Sequence, residues 1–222
     1  ARTFSGTGAM ENSLYYYLPP VGYALCLIFA LARQWAPAPF RRGLTAAALL
    51  SPAVLCLLSA WLVIAFALST RWTILGVFQT NDAHDFLHSI ADVVRQGWFD
   101  TPRGRPLANL SWAGLLDITG FDVTAAGYMV AVFSAAAILS VMLAARGSYP
   151  FWAALLAGMF LFDYFHEYFM GISSEAPGFL FGCAAAGALC QAARTRSAGW
   201  FIAGFALFAS GMLVRPGVMF LL

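Results

Sequence analysis

The stretch AAALLSPAVLCLLSAWLVIAFALS, residues 46–69, decides the fold class of this chain. It contains no charged side chain, and about 20 consecutive apolar residues are enough for an α-helix to cross a bilayer. The whole sequence of 222 residues has the same character, because 61% of it is hydrophobic, 10% is charged and its mean hydropathy is +0.76. Soluble domains carry roughly 25% charged residues. The sequence therefore predicts an all-α polytopic membrane protein.

About six membrane-spanning helices are predicted, one for each long apolar segment. These segments cover roughly residues 14–33, 46–69, 123–144, 148–165, 177–193 and 198–214. The short connections after the first, third and fifth segments contain Arg33, Arg41, Arg42, Arg146, Arg194 and Arg196. Cytoplasmic loops of membrane proteins are enriched in arginine and lysine. We therefore expect those connections in the cytoplasm, and we expect the outer loop at 70–122 and the connection at 166–176 on the opposite face.

The remaining composition excludes some classes of protein. The net charge is only +2 and no basic run is present, so a nucleic-acid partner is not expected. The four cysteines lie inside apolar runs without a C-x-x-C pattern, and they are interpreted as packing residues rather than a disulfide framework.

The outer loop carries an unusual concentration of charge in TNDAHDFLHSIADVVRQGWFDTPRGRP, which begins at Thr80. Its apolar residues Phe86, Ile90, Val93 and Val94 recur at helical spacing, which predicts an amphipathic helix of about 15 residues lying at the membrane interface. Asp82 stands at the start of this helix. It is a candidate N-cap and also a candidate general base, and the two roles are compatible.

A zinc site is an alternative interpretation of the same loop. His84 and His88 are four residues apart, a spacing that places two imidazoles on one helix face where they can bind one ion. Asp85 stands where zinc proteases have a glutamate, and the sequence supplies no clear third ligand. The pattern favours the simpler interpretation for His88, which is a histidine that faces water at the membrane interface.

A second polar group is expected at the outer ends of the fourth and fifth segments, within FDYFHEYFMGISSEAPGF. Asp163, His166 and Glu167 lie at i, i+3 and i+4 spacing, which brings them within reach of one helix face, and Glu175 follows at the next segment. Ionisable residues at membrane depth are functional candidates. The alternative is polar decoration of an aromatic belt.

Arg215 interrupts apolar sequence just before Pro216. It is either an arginine that extends to the membrane interface or a ligand for a lipid phosphate, whose oxygens match the planar guanidinium.

Three motifs in this order resemble the amino-terminal half of the GT-C superfamily of membrane glycosyltransferases, which includes protein O-mannosyltransferases and aminoarabinose transferases. They are DAHDFLHSIADVVRQGWF in the outer loop, SSEAPGFLFG at the start of a later span, and LVRPGVMFLL beyond it. Asp82 matches the acidic residue that opens the first outer loop of the family, Glu175 matches a family glutamate, and Arg215 matches the arginine of an Arg-Pro pair. The family's tyrosine positions are replaced by His84, Asp85 and Phe86.

The resemblance divides the chain into two parts. Residues 1–45 hold a span and a cytoplasmic loop that are extra to the family pattern, and residues 46–222 correspond to the GT-C core with its outer loop at 70–122. The family continues with further spans after the position of Leu222. The chain is therefore expected to be either a fragment or a shortened relative that does not catalyse.

The implied activity is transfer of a sugar from a polyprenyl-phosphate or -pyrophosphate carrier to an acceptor hydroxyl, on the outer face of the bacterial inner membrane. Asp82 would be the catalytic base. Asp163, His166, Glu167 and Glu175 would orient the acceptor or hold a divalent ion such as Mg²⁺ or Mn²⁺. Arg215, together with Arg103 or Arg105, would neutralise the carrier phosphate.

The expected partners are membrane lipids and the lipid-linked sugar. The alternative to an enzyme is a non-catalytic integral membrane subunit that packs against other subunits of a larger assembly. A lipid or polymer transporter is a third interpretation, although transport would favour more charge in the middle of the spans.

Overall fold

The fold is seen in a computed structural model of the chain, which describes part of the sequence. The backbone is described at residues 6–65, 73–74, 78–79, 88, 90–91, 93–95, 106–168 and 174–214, and side chains at residues 17–65, 88, 90–91, 93–95, 107–166 and 174–214.

The described residues form seven α-helices and two very short strands. The helices are α1 (Gly6–Trp35), α2 (Ala38–Ala65), α3 (Pro106–Ile118), α4 (Val123–Ser148), α5 (Phe151–Tyr168), α6 (Glu175–Thr195) and α7 (Ala198–Val214). The strands β1 (Thr73–Ile74) and β2 (Phe78–Gln79) pair antiparallel, with Thr73 opposite Gln79. The all-helical fold class predicted from composition is confirmed for the bundle.

Three of the helices are long and apolar enough to cross a membrane, and they are α2, α4 and α6. Two shorter apolar helices accompany them, at Phe151–His166 and Ala198–Val214. This composition identifies the chain as an integral membrane protein.

The helix ends follow from local sequence. Pro37 and Pro150 stand one residue before α2 and α5, where a missing N–H is tolerated because the first helical N–H groups have no partner within the helix. Asp122 caps α4, and its Oδ1 accepts hydrogen bonds from the backbone N–H of Thr124 at 2.8 Å and of Ala125 at 3.0 Å. Arg196, which ends α6, has a left-handed backbone with φ of 52°.

Helix α4 is the centre of the bundle. It packs against α2, α5 and α6, while α1 packs on α2 and α7 packs on α6. Its buried face consists mostly of small residues, namely Ala126, Ala131, Ser134, Ala135 and Ala145, together with larger Val130, Ile138, Val141 and Met142. Small residues allow two helix backbones to approach closely. In a bilayer the hydrophobic effect does not drive helices together, because lipid tails are as apolar as the helix surface, so helices associate through such close packing.

Two glycines mark the closest approaches between helices. A Cβ placed on Gly22 of α1 would stand 2.9 Å from Cδ2 of Leu55 in α2, and one placed on Gly158 of α5 would stand 2.7 Å from Cε of Met142 in α4. A side chain at Gly22 therefore requires α1 and α2 to separate or Leu55 to move.

Each predicted apolar segment coincides with one helix, but some bounds differ. Arg41 and Arg42, which were predicted in a loop, lie within the first five residues of α2, because that helix begins at Ala38. Helix α3 was not predicted at all, and it lies inside the segment taken as the outer loop. Its buried residues Ala108, Asn109, Trp112, Ala113 and Leu116 follow a helical period.

The predicted interfacial helix falls largely outside the described residues. Its described positions, 88, 90–91 and 93–95, are helical. Ile90 and Val93 are buried there, whereas His88, Val94 and Arg95 are exposed. This alternation is the one expected of an amphipathic helix, although Val94 does not share the buried face.

Among the described side chains of α1 to α7 and the turns between them, charges of opposite sign occupy opposite ends of the bundle. Arg33, Arg41, Arg42, Arg146, Arg194 and Arg196 lie where α1, α4 and α6 end and where α2 begins. Arg33, Arg41, Arg42 and Arg146 line one cleft, and Gly147 packs against Arg194, so these helix termini share one end, which we call the arginine end. The described carboxylates Asp117, Asp122, Asp163 and Glu175 lie at the other, which we call the acidic end.

Candidate functional site

Asp163 and His166 lie in the last two turns of α5, at the acidic end. The helix places them three residues apart, yet their environments differ: Asp163 is exposed, whereas His166 is only 4% exposed. The His166 ring packs against Phe162 with a centroid distance of 5.8 Å. Asp163 is thus the residue of this pair that an incoming molecule can reach, and His166 stands behind it in the aromatic interior.

Tyr23 of α1 is the partner of Asp163. Its hydroxyl donates a hydrogen bond to Asp163 Oδ1 at 2.5 Å, and its ring meets Phe162 edge-on at a centroid distance of 6.3 Å. A donor on one oxygen orients the carboxylate and leaves its second oxygen available for another contact.

Sequence reasoning missed Tyr23 as a site residue. It also treated α1 as extra to the core, whereas α1 supplies this contact. The sequence feature that could have indicated Tyr23 is an aromatic residue with a hydroxyl group within an otherwise apolar segment. It stands next to Gly22, whose lack of a side chain allows α1 to approach α2.

Glu175 begins α6 and is 8% exposed. Ser174, directly before it, donates a hydrogen bond from Oγ to Glu175 Oε2 at 3.4 Å. A carboxylate in the first turn of a helix is stabilised by the positive end of the helix dipole. The five residues after Ser174, from Glu175 to Phe179, are all buried. Glu175 is therefore held in the protein interior and not in an open loop.

Aromatic contacts join the end of α5 to the beginning of α6. Phe179 stacks on Tyr164 at a centroid distance of 6.2 Å and contacts Phe165 at 6.3 Å. Since Phe179 is one turn from Glu175, these contacts fix Glu175 at the same end of the bundle as Asp163 and His166.

An apolar groove of about 360 Å³ opens between α3, α4, α6 and α7, and its lining on α6 begins at Pro177. Trp112 and Leu115 of α3 form one wall, and Phe133, Pro177 and Phe181 form much of the rest. The groove is in the half of the bundle nearer the acidic end, because its α6 residues come from the first three turns of that helix. It depends on α3, so sequence reasoning, which missed α3, could not anticipate it.

The metal prediction is neither confirmed nor contradicted. Among the described residues no group of three or more His, Cys, Asp or Glu side chains is placed to hold a metal ion. The side chain of Glu167 lies outside the described residues, although its backbone is helical. A role for Asp163, His166 and Glu167 in holding Mg²⁺ or Mn²⁺ therefore stays a prediction.

Several other predicted site residues also lie outside the described part of the chain. They are the predicted base Asp82, the predicted phosphate ligands Arg103, Arg105 and Arg215, and the alternative zinc residues His84 and Asp85. Their roles remain predictions from the sequence.

No family model, curated protein or solved structure matches this chain. The acidic end combines an exposed carboxylate oriented by a tyrosine and a buried carboxylate at a helix start, and an apolar groove opens in the same half of the bundle. This combination suits a molecule with a polar group to be oriented and a hydrocarbon part to be covered.

Proposed function

We propose that this chain is a GT-C-type membrane glycosyltransferase, which transfers a sugar from a polyprenyl-phosphate or -pyrophosphate carrier to an acceptor hydroxyl. The observation that carries the proposal is the position of the oriented Asp163 carboxylate and of Glu175 at one end of the bundle, together with an apolar groove in the half of the bundle nearer that end. The carrier is an amphiphile, and an apolar groove next to polar side chains is the surface that such a molecule requires.

The proposed topology has about six spans with the acidic end outside the cytoplasm, in the bacterial inner membrane. The gathering of six arginines at the opposite end supports this orientation, since cytoplasmic ends of spans are enriched in arginine.

The proposed reaction requires a base and a stabilised leaving group. Asp82 takes the proton of the acceptor hydroxyl as the acceptor oxygen forms its bond to the sugar carbon, and the bond from that carbon to the carrier phosphate breaks. Arg215, with Arg103 or Arg105, stabilises the negative charge that develops on the phosphate. Asp163 and Glu175, with His166 and Glu167, orient the acceptor or hold a divalent ion.

Turnover by the purified full chain in proteoliposomes tests the proposal, with a radiolabelled polyprenyl-phosphate sugar as donor. Asp82→Asn should lower the rate by about 10²-fold or more, which is typical for loss of a general base. Asp163→Asn should raise the KM for the acceptor more than it lowers kcat. Asp117→Asn is the matched control, since it removes an exposed carboxylate from the same end, and it should leave the rate unchanged. Carrier binding without sugar transfer would instead favour the non-catalytic subunit.

The role of Arg215 is tested separately by carrier-lipid binding. Arg215→Lys keeps the charge but loses the two-pronged hydrogen bonding of guanidinium, so affinity should fall roughly ten- to a hundredfold. Equal affinity of the two forms would leave Arg215 as an interfacial anchor.

A further inference from the structure

At the end of the bundle opposite Asp163, a cleft of about 670 Å³ opens between the end of α1, the beginning of α2 and the end of α4. Four arginines line it, namely Arg33, Arg41, Arg42 and Arg146, and no carboxylate of the described residues is among its lining side chains. We call it the arginine cleft. A third of the arginines in the chain thus surround one cavity, and no described side chain in its walls carries a counter-charge.

Two of these guanidinium groups are held by one aromatic ring. Cζ of Arg33 lies 4.3 Å from the ring centroid of Phe151, and Cζ of Arg146 lies 5.7 Å from the same centroid. Both distances are within the range of cation–π contacts. The ring holds two like charges close together, and a bound anion would relieve their mutual repulsion.

Arg33 has a hydrogen-bonding group that the described residues do not satisfy. Its Nε is buried and has no hydrogen-bond partner within the described part of the chain. Leaving a buried donor without an acceptor is unfavourable, because the donor has lost its hydrogen bond to water. An acceptor supplied by a ligand would remove this cost, and phosphate oxygens match the guanidinium plane.

Helix electrostatics explain two of the arginines but not the other two. Arg33 and Arg146 lie in the last turns of α1 and α4, where a cation is stabilised by the negative end of the helix dipole. Arg41 and Arg42 lie in the first turns of α2, where the dipole is positive and disfavours a cation. A bound anion would be attracted both by these two side chains and by the helix end that carries them.

The rest of the cleft is apolar, which identifies the kind of anion. Leu49 and Leu50 of α2, with Leu139 and Leu143 of α4, line the part that extends from the arginines along the bundle. Leu139 precedes Arg146 by seven residues, which is about 10 Å along a helix. Leu50 is 45% exposed and Leu143 is 55% exposed, so this wall is open towards the surroundings of the bundle. A free phosphate would leave this leucine wall uncovered, whereas the acyl chain of a lipid would cover it.

We propose that the arginine cleft binds an anionic phospholipid, with the phosphate between the four guanidinium groups and an acyl chain along the leucines. This inference does not depend on the glycosyltransferase proposal, since it concerns the opposite end of the bundle and involves no residue of that site.

The test is lipid binding by the purified full chain in a neutral detergent, followed by native mass spectrometry and by the rise in melting temperature on lipid addition. Phosphatidylglycerol should bind at least about tenfold more tightly than zwitterionic phosphatidylcholine, and its affinity should fall as salt is raised. Glycerol 1-phosphate, which lacks acyl chains, should bind much more weakly. Equal binding of both lipids, or binding of glycerol 1-phosphate as tight as that of phosphatidylglycerol, would overturn the proposal.

Variants locate the site. Arg33→Gln should weaken phosphatidylglycerol binding about fivefold, and Arg33→Gln combined with Arg146→Gln about twenty-five-fold, at roughly 1 kcal/mol for each basic side chain. Arg196→Gln is the matched control, because it removes the same charge from the same end but lies outside the cleft, and it should change affinity less than twofold. If the control and the cleft variants lose equal affinity for phosphatidylglycerol, the binding depends on general surface charge, and the proposed site is wrong.

A second variant keeps the test informative if the glutamine forms fold poorly. Arg33→Lys retains the charge and should preserve the fold, but it lacks Nε and the planar fork. Its affinity for phosphatidylglycerol should lie between those of the wild type and Arg33→Gln. Wild-type affinity in Arg33→Lys would contradict the assigned role of the buried Nε.

Discussion

The hydrogen bond between Tyr23 and Asp163 should link α1 energetically to α5. Tyr23→Phe removes only the hydroxyl, so the edge-on contact of the ring with Phe162 remains. Interhelical hydrogen bonds in membrane proteins contribute about 0.6 kcal/mol on average and up to about 1.7 kcal/mol. The short donor–acceptor distance of 2.5 Å and the carboxylate acceptor favour the upper part of this range, while the exposure of Asp163 lowers it. We expect Tyr23→Phe to lower the free energy of unfolding by about 1 kcal/mol.

A double-mutant cycle with Tyr23→Phe and Asp163→Ala isolates this interaction. Unfolding free energies are measured by reversible denaturation in mixed detergent micelles, and the double variant should be about 1 kcal/mol more stable than the sum of the single changes implies. Tyr149→Phe removes a hydroxyl from an exposed tyrosine at the arginine end and should change stability by less than about 0.5 kcal/mol. If the effects of the two changes on the free energy of unfolding are strictly additive, the coupling is refuted, and α1 makes no energetic contribution to the candidate site through this bond.

Three further predictions follow from packing and charge. Gly22→Ala should destabilise the protein by about 1–3 kcal/mol, because the added methyl group overlaps α2. Gly43→Ala adds a methyl group with nothing within 4 Å, so it should be neutral or stabilising by up to about 1 kcal/mol. Chemical denaturation of both variants and the wild type compares their free energies of unfolding. Ser134→Ala should not destabilise, since its fully buried Oγ has no partner among the described residues, and a drop in melting temperature would contradict this. A cysteine at Ser197 should react with impermeant reagents only from the cytoplasm and one at Gly104 only from outside, and the reverse pattern would invert the proposed topology.

The helices were largely predictable because their signal is local. The apolar run 46–69 and its counterparts each gave a helix, as length and composition require. The bounds were less accurate where charges were taken as loop residues. Arg41 and Arg42 were placed in a connection, but the helix runs through them from Ala38, since long arginine side chains can reach polar surroundings from a helix end.

The candidate site was only partly predictable because it depends on contacts between distant segments. Asp163, His166 and Glu175 were found from charge in an apolar context, and the structure places all three at one end of the bundle. Tyr23 was missed because its partner is 140 residues away in sequence and nothing in the local pattern indicates it. Helix α3 had a recognisable signal, with Pro106 at its first position and a periodic apolar face, but it was hidden by the turn-rich sequence before it.

The separation of arginines from carboxylates makes the bundle responsive to membrane voltage. Moving one elementary charge across the bilayer changes the free energy by about 2.3 kcal/mol for each 100 mV. Inverting the bundle would carry six arginines and four carboxylates in opposite directions, so every one of these charges would contribute with the same sign. With the arginine end in a negatively charged cytoplasm, as proposed, these ten charges taken alone would contribute on the order of 20 kcal/mol for each 100 mV. An energised membrane would thus hold the protein in one orientation without any contact from another molecule.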